Sequence, residues 1–241
     1  MFEKKLKLEM DKLKSQLKKI SDPIKAKFLQ GYFKTGSGEY GEGDVFIGIT
    51  VPNLRKVAKE FETLEFKELT ELIHSEIHEE RLLCLLILGR KFHNKKADEK
   101  LKKQIYEFYL KHLQYVNNWD LVDEASRTIL GSYLLDKDRA ILYKLVKSKK
   151  LWERRNAIIS TFVFLQNGES EDTIRISEIL LADKEDLMHK ATGWMLREMG
   201  KRVDVKLLEA FLDKHAKQMP RVMLRYAIEK LPEKTRKEYL K

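Results

Sequence analysis

Cysteine is almost absent from this chain, and the single residue, Cys84, leaves no partner for an intramolecular disulfide. A chain without disulfides suits a reducing compartment. Cys84 lies in the apolar stretch 82–88, where a thiol packs as a small hydrophobic residue. We therefore predict a buried structural cysteine and not a nucleophile.

Proline and glycine are also scarce, with 4 prolines and 11 glycines among 241 residues. This scarcity favours long helices over a β architecture with many turns. The longest apolar run, 82–88, is much shorter than the ~20 residues that span a bilayer. The charged start of the chain, 1–5, differs from a signal peptide. We expect a soluble, cytoplasmic protein.

Acidic residues are outnumbered by basic ones, because 48 Lys and Arg against 38 Asp and Glu leave a net charge of +10. A basic surplus indicates either a lysine-rich solubilising surface or a polyanionic partner such as nucleic acid. Charge alone leaves both interpretations open.

The first fifty residues fall into three segments. Apolar residues at helical spacing between lysines predict a basic amphipathic helix over 1–20, and Asp22 before Pro23 predicts the capped start of a second helix. Five glycines lie in 35–50, which predicts a loop or small hairpin insertion. Part of this segment, 36–41, matches G-x-G-x-x-G. A dinucleotide site is excluded because no apolar strand precedes it and its acidic residues would repel a pyrophosphate.

From Val51 onward, short helical segments alternate with brief breaks. The residues that open apolar helices recur at steps of 38, 36, 35 and 31, namely Arg81, Trp119, Arg155, Lys190 and Arg221. Helix-pair repeats of the HEAT type have periods of ~40 residues. We predict one all-α domain over 1–241, a superhelical solenoid of HEAT-like antiparallel helix pairs with a concave basic face.

Three segments hold every tryptophan of the chain: 118–123, 152–158 and 190–198. Each indole has a charged residue three or four positions away, where side chains share a helix face. Trp119 is so placed with Asp123, Trp152 with Arg155, and Trp194 with Lys190 and Arg197. Gly193 is expected to give a ligand close access to the backbone. Such faces suit a cationic sugar-phosphate ligand, since phosphates bind cations and a cationic base binds indole faces and a carboxylate.

Other chemistry has little support in the sequence. His74 and His78 are spaced i, i+4, but no third ligand follows, so we expect a solvated pair and no metal site. No Ser-His-Asp signature, P-loop or H-E-x-x-H is present, and no cofactor is expected. An enzyme with this sequence would depend on carboxylate, aromatic and arginine groups.

In order and spacing, the three segments resemble the DNA alkylation-repair family of AlkD type, which is built from HEAT-like repeats. The family's Trp-Asp-x-Val-Asp appears as 119–123, its Trp-x-x-Arg as 152–155, and its Lys-Ala-x-Gly-Trp-x-Leu-Arg-Glu as 190–198. The similarity extends from about Tyr32 to Glu198. It implies hydrolysis of the N-glycosidic bond of positively charged N3- or N7-alkylated purines in duplex DNA, by a monomer and without base flipping.

The resemblance also implies roles for individual residues. Trp119 and Trp194 would pack on the deoxyribose backbone of the lesion, Asp123 would orient water and stabilise the sugar cation, and Arg155 would hold a phosphate. The implied DNA-binding residues are Tyr32, Arg55, Arg154, Lys190 and Arg197.

Two alternatives remain open at this stage. The segment 35–48 is longer than the equivalent connection in the best-known members, and some paralogues with an inserted hairpin bind branched DNA with little glycosylase activity. The chain could therefore be a non-catalytic paralogue that binds branched or damaged DNA. The other alternative is a protein-interaction solenoid whose lysines only solubilise it.

Overall fold

A computed structural model describes the backbone of residues 2–241 and the side chains of residues 8–241. Within this part of the chain the regular structure is helical, and the only β pairing is an isolated parallel bridge between Val45 and Ile77. The predicted all-α class is confirmed. None of the described helices is long and apolar enough to cross a bilayer. The chain divides into two compact units, residues 1–125 and 126–241.

The first unit consists of α-helices and one 3₁₀ turn, and Asp22 caps the start of one of these helices. Asp22 Oδ1 accepts hydrogen bonds from the backbone N–H groups of Ile24 and Lys25, at 3.0 and 3.1 Å, which confirms the predicted cap. The predicted N-terminal helix is also present, although Met1 lies outside the described residues. The helices are α1 (Phe2–Ile20), α2 (Pro23–Tyr32), α3 (Val51–Glu60), α4 (Phe66–Ile73), α5 (His78–Phe92), α6 (Glu99–Lys111), a 3₁₀ turn (Leu113–Tyr115) and α7 (Trp119–Ala125).

Helix α5 forms the centre of the first unit. It packs against α3, α4, α6 and α7, and nearly all of its side chains are buried. A helix that is apolar on every side is stable only in such surroundings. Cys84 lies within it, donates a hydrogen bond to the carbonyl of Leu69 and is fully buried, so burial raises the pKa of its thiol. The prediction of a structural cysteine is confirmed.

The second unit continues the same organisation around two longer helices. Helix α10 packs against α9, α11 and α12, and α12 packs against α11, α13 and α14. Because helices adjacent in sequence are adjacent in space, the arrangement is that of a helical repeat, and the predicted solenoid class is confirmed. The elements are a π-helical turn (Ser126–Gly131), α8 (Ser132–Leu134), α9 (Ala140–Leu145), α10 (Leu151–Gln166), α11 (Glu171–Leu180), α12 (Asp186–Arg202), α13 (Val205–His215), α14 (Arg221–Ile228) and α15 (Glu233–Tyr239).

Two glycines of α12 lie at close contacts with neighbouring helices. Gly200 lies inside the helix, which continues to Arg202. Gly193 was expected to open the backbone to a ligand. It is buried instead, and a Cβ there would lie 2.4 Å from the carbonyl oxygen of Met223. Both glycines therefore serve helix packing: Gly193 admits α14, and a Cβ at Gly200 would meet Leu208 of α13.

Candidate nucleic-acid interface

The aromatic–carboxylate motif of the first unit lies on α7. The helix begins where Asn118 accepts two backbone hydrogen bonds, from Trp119 through its side chain at 2.8 Å and from Val122 through its carbonyl at 3.1 Å. Leu121 and Val122 are buried against the core, whereas Trp119 and Asp123 are half-buried. The short helix therefore presents an indole and a carboxylate one turn apart, as the spacing predicts.

The Trp119 indole is enclosed by aromatic rings from the preceding segments. It stacks on Phe33 with ring centres 5.0 Å apart, and it meets Tyr32 edge-on at 6.1 Å. Its N–H donates to the hydroxyl of Tyr40. Tyr32 is 55% exposed, so the structure brings two of the predicted site residues, Tyr32 and Trp119, together at the surface.

Phe28 extends this aromatic surface, although it was not among the predicted site residues. Its ring stacks on Tyr32 at 6.1 Å with an angle of 17° between the planes, and it is 68% exposed. The helix that carries both rings, α2, buries none of its residues and includes no acidic residue. The sequence could have indicated Phe28 as a site residue, because it lies four residues before Tyr32 in a lysine-bearing helix and side chains at that spacing share a helix face.

The prediction of a solvated histidine pair is wrong for His78. His74 follows the end of α4, His78 begins α5, and the bend between them separates two helices. His78 is only 1% exposed, and both ring nitrogens face carboxylates: Nδ1 lies 2.9 Å from Asp44 and Nε2 lies 2.8 Å from Asp120. Instead of a solvated pair, the chain has a buried histidine clamped between two acidic side chains.

The surroundings of His78 and Asp44 favour the charged form of both side chains. Burial opposes the charged imidazole, but the hydrogen bonds to Asp120 and Asp44 outweigh it and raise the pKa of His78. Burial likewise opposes the charged carboxylate of Asp44, yet His78 and the guanidinium of Arg81, 2.6 Å away, lower the pKa of Asp44. Asp120, in the first turn of α7, is thus a partner of His78.

Arg55 lies in α3, on the exposed side of that helix. Its guanidinium donates to Glu124 of α7 at 3.1 Å, and its side chain is 60% exposed. Glu124 directly follows Asp123 in the chain. The predicted DNA-binding Arg55 is therefore tied to the same short helix that carries the predicted catalytic Asp123.

In the second unit, Arg155 is a buried guanidinium. It is 6% exposed and donates to the carbonyl of Leu187 at 2.7 Å. This contact joins the start of α10 to the first turn of α12. A phosphate ligand of Arg155 would meet a side chain whose orientation is already set.

Helix α12 carries three more of the predicted residues, Lys190, Trp194 and Arg197. Both cations are paired within the unit: Lys190 with Asp186 at 2.6 Å, and Arg197 with Glu229 of α14. The Trp194 ring is half-buried beside Phe162 of α10, with ring centres 6.2 Å apart. The helical spacing thus places one indole and two cations on α12, as expected.

Two cations near Trp194 were missed at the sequence level. The guanidinium of Arg127 lies 5.3 Å from the ring centre of Phe162 and 5.9 Å from that of Trp194. Arg202 lies over Phe162 at 4.7 Å. Arg127 and Phe162 are 35 residues apart, which is the same step that separates Arg155 from Lys190. The repeat period in the sequence could therefore have indicated that Arg127 and Phe162 lie close together.

Arg154 makes contacts that are typical of a structural arginine. Its Nε donates to Asp183 at 2.6 Å, and its Nη1 donates to the carbonyls of Ser148 and Lys149. The side chains of the pair are 15% and 5% exposed. A DNA-binding role for Arg154 would compete with these bonds.

The predicted site residues therefore form two sets, one in each unit. The first comprises Tyr32, Arg55, Trp119 and Asp123, and the second comprises Arg154, Arg155, Lys190, Trp194 and Arg197. The concave basic face stays a prediction. In the described part of the chain no cluster of three or more His, Cys, Asp or Glu residues is arranged to hold a metal.

Comparison with known proteins agrees with the motifs. The sequence model of the DNA alkylation repair enzyme family matches residues 13–231, so the chain belongs to this family and has a role in DNA alkylation repair. A solved structure described as a predicted DNA alkylation repair enzyme from Enterococcus faecalis has the same fold. The match has a TM-score of 0.68 at 17% identity and covers 88% of this chain and 97% of that one. No curated protein matches the chain.

Proposed function

We propose that the chain is a monofunctional DNA glycosylase that hydrolyses the N-glycosidic bond of positively charged N3- or N7-alkylated purines in duplex DNA. The lesion would stay stacked in the duplex, and the protein would work as a monomer, from the backbone side and without a cofactor. Trp119 and Trp194 would pack on the deoxyribose backbone, Asp123 would act at the reacting sugar, and Arg155 would hold a phosphate.

The observation that carries the proposal is the arrangement on α7. Trp119 is held by a parallel ring, an edge-on ring and a hydrogen bond, and Asp123 follows one turn later on the same helix. A rigid indole beside a carboxylate can pack on a sugar and place a negative charge at its anomeric carbon. Family membership supplies the independent support.

The reaction needs little from the protein because the substrate is already activated. When the C1′–N bond breaks, its electron pair goes to the purine nitrogen and neutralises the positive charge of the base. The deoxyribose that remains is oxocarbenium-like, and Asp123 would stabilise this charge as carboxylates do in glycosidases. Water then adds its oxygen to C1′ and releases one proton, so a neutral alkylpurine and an abasic site are the products.

The alternative of a non-catalytic branched-DNA binder was motivated by the glycine-rich segment. In the structure the second half of this segment packs inward, with Asp44, Phe46 and Ile49 buried, whereas residues 36–39 are exposed. Its exposed residues include Glu39 and Glu42, whose carboxylates accept hydrogen bonds from the segment's own N–H groups and would repel phosphates. The observation that favoured the alternative therefore has another explanation.

Base release tests the proposal directly. Excess protein is incubated with duplex DNA that contains one 7-methylguanine, and the free base and abasic sites are quantified over time. We expect first-order release of 7-methylguanine and no release from the undamaged duplex. An undamaged purine carries no positive charge that its departure would neutralise, so the barrier to its release is much higher. Release no faster than the spontaneous loss from the same duplex would refute the glycosylase assignment.

The salt dependence of DNA affinity distinguishes cationic side chains that contact phosphates from those that only stabilise the fold. Each phosphate contact steepens the slope of log K against log salt by about 0.9. Arg55→Ala and Lys190→Ala should each make the slope shallower by about 1, since both side chains are substantially exposed. Arg154→Ala should leave the slope unchanged and lower the Tm, because it breaks a partly buried ion pair.

The matched control for these variants is Lys103→Ala, which removes the same charge from a 63% exposed side chain of α6. Its slope should equal that of the parent protein. If all four variants behave alike, binding follows net charge alone, and the individual DNA-binding assignments are wrong.

A further inference from the structure

Trp119 lies at the edge of a cluster of four aromatic rings in the first unit. Its indole is nearly parallel to the ring of Phe33, with ring centres 5.0 Å apart and an angle of 16°. Phe33, Phe46 and His78 all contact one another, with ring centres 5.0 Å (Phe33 and Phe46), 4.4 Å (Phe46 and His78) and 5.2 Å (Phe33 and His78) apart. These three rings are buried, whereas Trp119 is half-buried. The indole is thus the outermost member of a packed aromatic cluster.

The inner side of the cluster is held by charge. A neutral imidazole donates from only one nitrogen, but both nitrogens of His78 face carboxylate oxygens at hydrogen-bond distance. Two ionised carboxylates can accept from both nitrogens only when the ring carries both protons, so the geometry favours the imidazolium form. Asp44 is held further by Arg81 and by Asn117, at 2.6 and 2.9 Å. Asp120 is the immediate neighbour of Trp119, so the clamp acts on the first turn of α7.

The glycine-rich segment 34–50 supplies much of this assembly. It contributes Tyr40, which accepts from the indole N–H, together with Asp44 and Phe46. Gly41 is buried where a Cβ would lie 2.5 Å from the carbonyl oxygen of Phe33. The segment is further bound by Glu79, whose carboxylate accepts from the N–H groups of Ile47, Gly48 and Ile49 at 2.8 to 3.2 Å.

We propose that segment 34–50 is an internal buttress for Trp119 and that His78 is a positioning residue, whose clamped ring sets the indole and the start of α7 for the reaction. This inference rests on the proposed function for its link to catalysis. The claim that the segment and His78 set the orientation of Trp119 does not depend on the proposed function. The buttress would act through Trp119 and Asp123 and would not touch the DNA.

The first test measures how firmly Trp119 is held, with no reference to activity. In a Trp152→Phe, Trp194→Phe background, Trp119 is the only tryptophan, and acrylamide quenching reports its access to solvent. Phe46→Leu should raise the quenching constant by about twofold or more, because Phe33, which stacks on the indole, loses an aromatic ring packed against it. The control is Leu69→Ala in α4, a buried residue outside the aromatic cluster, and it should leave the constant unchanged.

The second test separates a charged clamp from simple packing through pH. Because the folded-state pKa of His78 is raised, its contribution is complete below the unfolded value of about 6.5 and is lost as pH rises through the folded value. The stability difference between the parent and His78→Gln should therefore shrink as pH rises above neutrality. Asp44, Asp120, Arg81 and Tyr40 are present in both proteins. A ring that only fills space would give a difference independent of pH.

The third readout ties the buttress to the reaction. Phe46→Leu should lower kcat for 7-methylguanine release by roughly tenfold or more while KM changes little, since it misplaces the reacting groups without removing a DNA contact. Unchanged quenching in Phe46→Leu and a pH-independent effect of His78→Gln would together overturn the proposal. If the parent protein releases no base, the proposed function fails, whereas the quenching and pH results still decide the buttress.

Discussion

Asp123→Asn should slow the release of 7-methylguanine by about 10²-fold or more, with duplex affinity changed by no more than about twofold. Asparagine keeps the shape of the side chain and removes its negative charge. The charge acts most strongly when the sugar becomes cationic, so the loss should fall mainly on the rate and much less on ground-state binding. Single-turnover release with saturating protein, together with equilibrium binding to the same duplex, measures both quantities.

A matched control is available in Asp98→Asn. Asp98 caps α6 by accepting from the N–H of Leu101 at 2.8 Å, and asparagine caps helices equally well. The variant removes the same charge from the same unit and should release base at the parent rate. An Asp123→Asn protein as fast as the Asp98→Asn protein would exclude the carboxylate from the chemistry.

Gly48→Ala should destabilise the protein by about 2–5 kcal/mol, because two costs coincide at this position. Its φ of +83° is in the region that residues with a Cβ avoid, and a Cβ would lie 2.0 Å from the carbonyl oxygen of Asp22. Neither the oxygen nor the neighbouring backbone nitrogen of Ala26 can withdraw as a flexible side chain could. Urea unfolding at pH 7 measures the loss.

Gly168→Ala measures the cost of the positive φ alone, without a steric clash. Gly168 has almost the same φ, +82°, but a Cβ there would meet nothing within 4 Å. Its substitution should cost about 1 kcal/mol. Equal losses in the two variants would mean that the backbone conformation alone requires glycine at Gly48, and that the close approach to Asp22 adds nothing.

Several predictions that depended on local pattern are confirmed. The N-cap at Asp22 and the buried Cys84 both follow from side chains and their neighbours within a few residues. The all-α solenoid class follows from apolar spacing repeated over many short segments. The family followed from three motifs whose order and separation are specific together, although each is weak alone.

The failures lie where contacts join distant parts of the chain. The hydrogen bonds of His78 reach Asp44 and Asp120, which are 34 and 42 residues away, and no periodicity within α5 points to them. Gly193 has the appearance of an access point for a ligand, yet the backbone of α14 occupies that space. Arg154 stands beside Arg155 in the sequence but forms a partly buried ion pair with Asp183.

The sequence by itself determined the helical class and the family, because these depend on residue type and short-range spacing, and it nominated the residues that we propose to carry the chemistry. Only the tertiary structure decided which partner each of those residues has. In the structure, the glycine-rich segment supports Trp119, and His78 is a buried cation and not a surface side chain. Such pairings depend on the close approach of segments far apart in the chain, where burial strengthens a hydrogen bond or ion pair and penalises any polar group left without one.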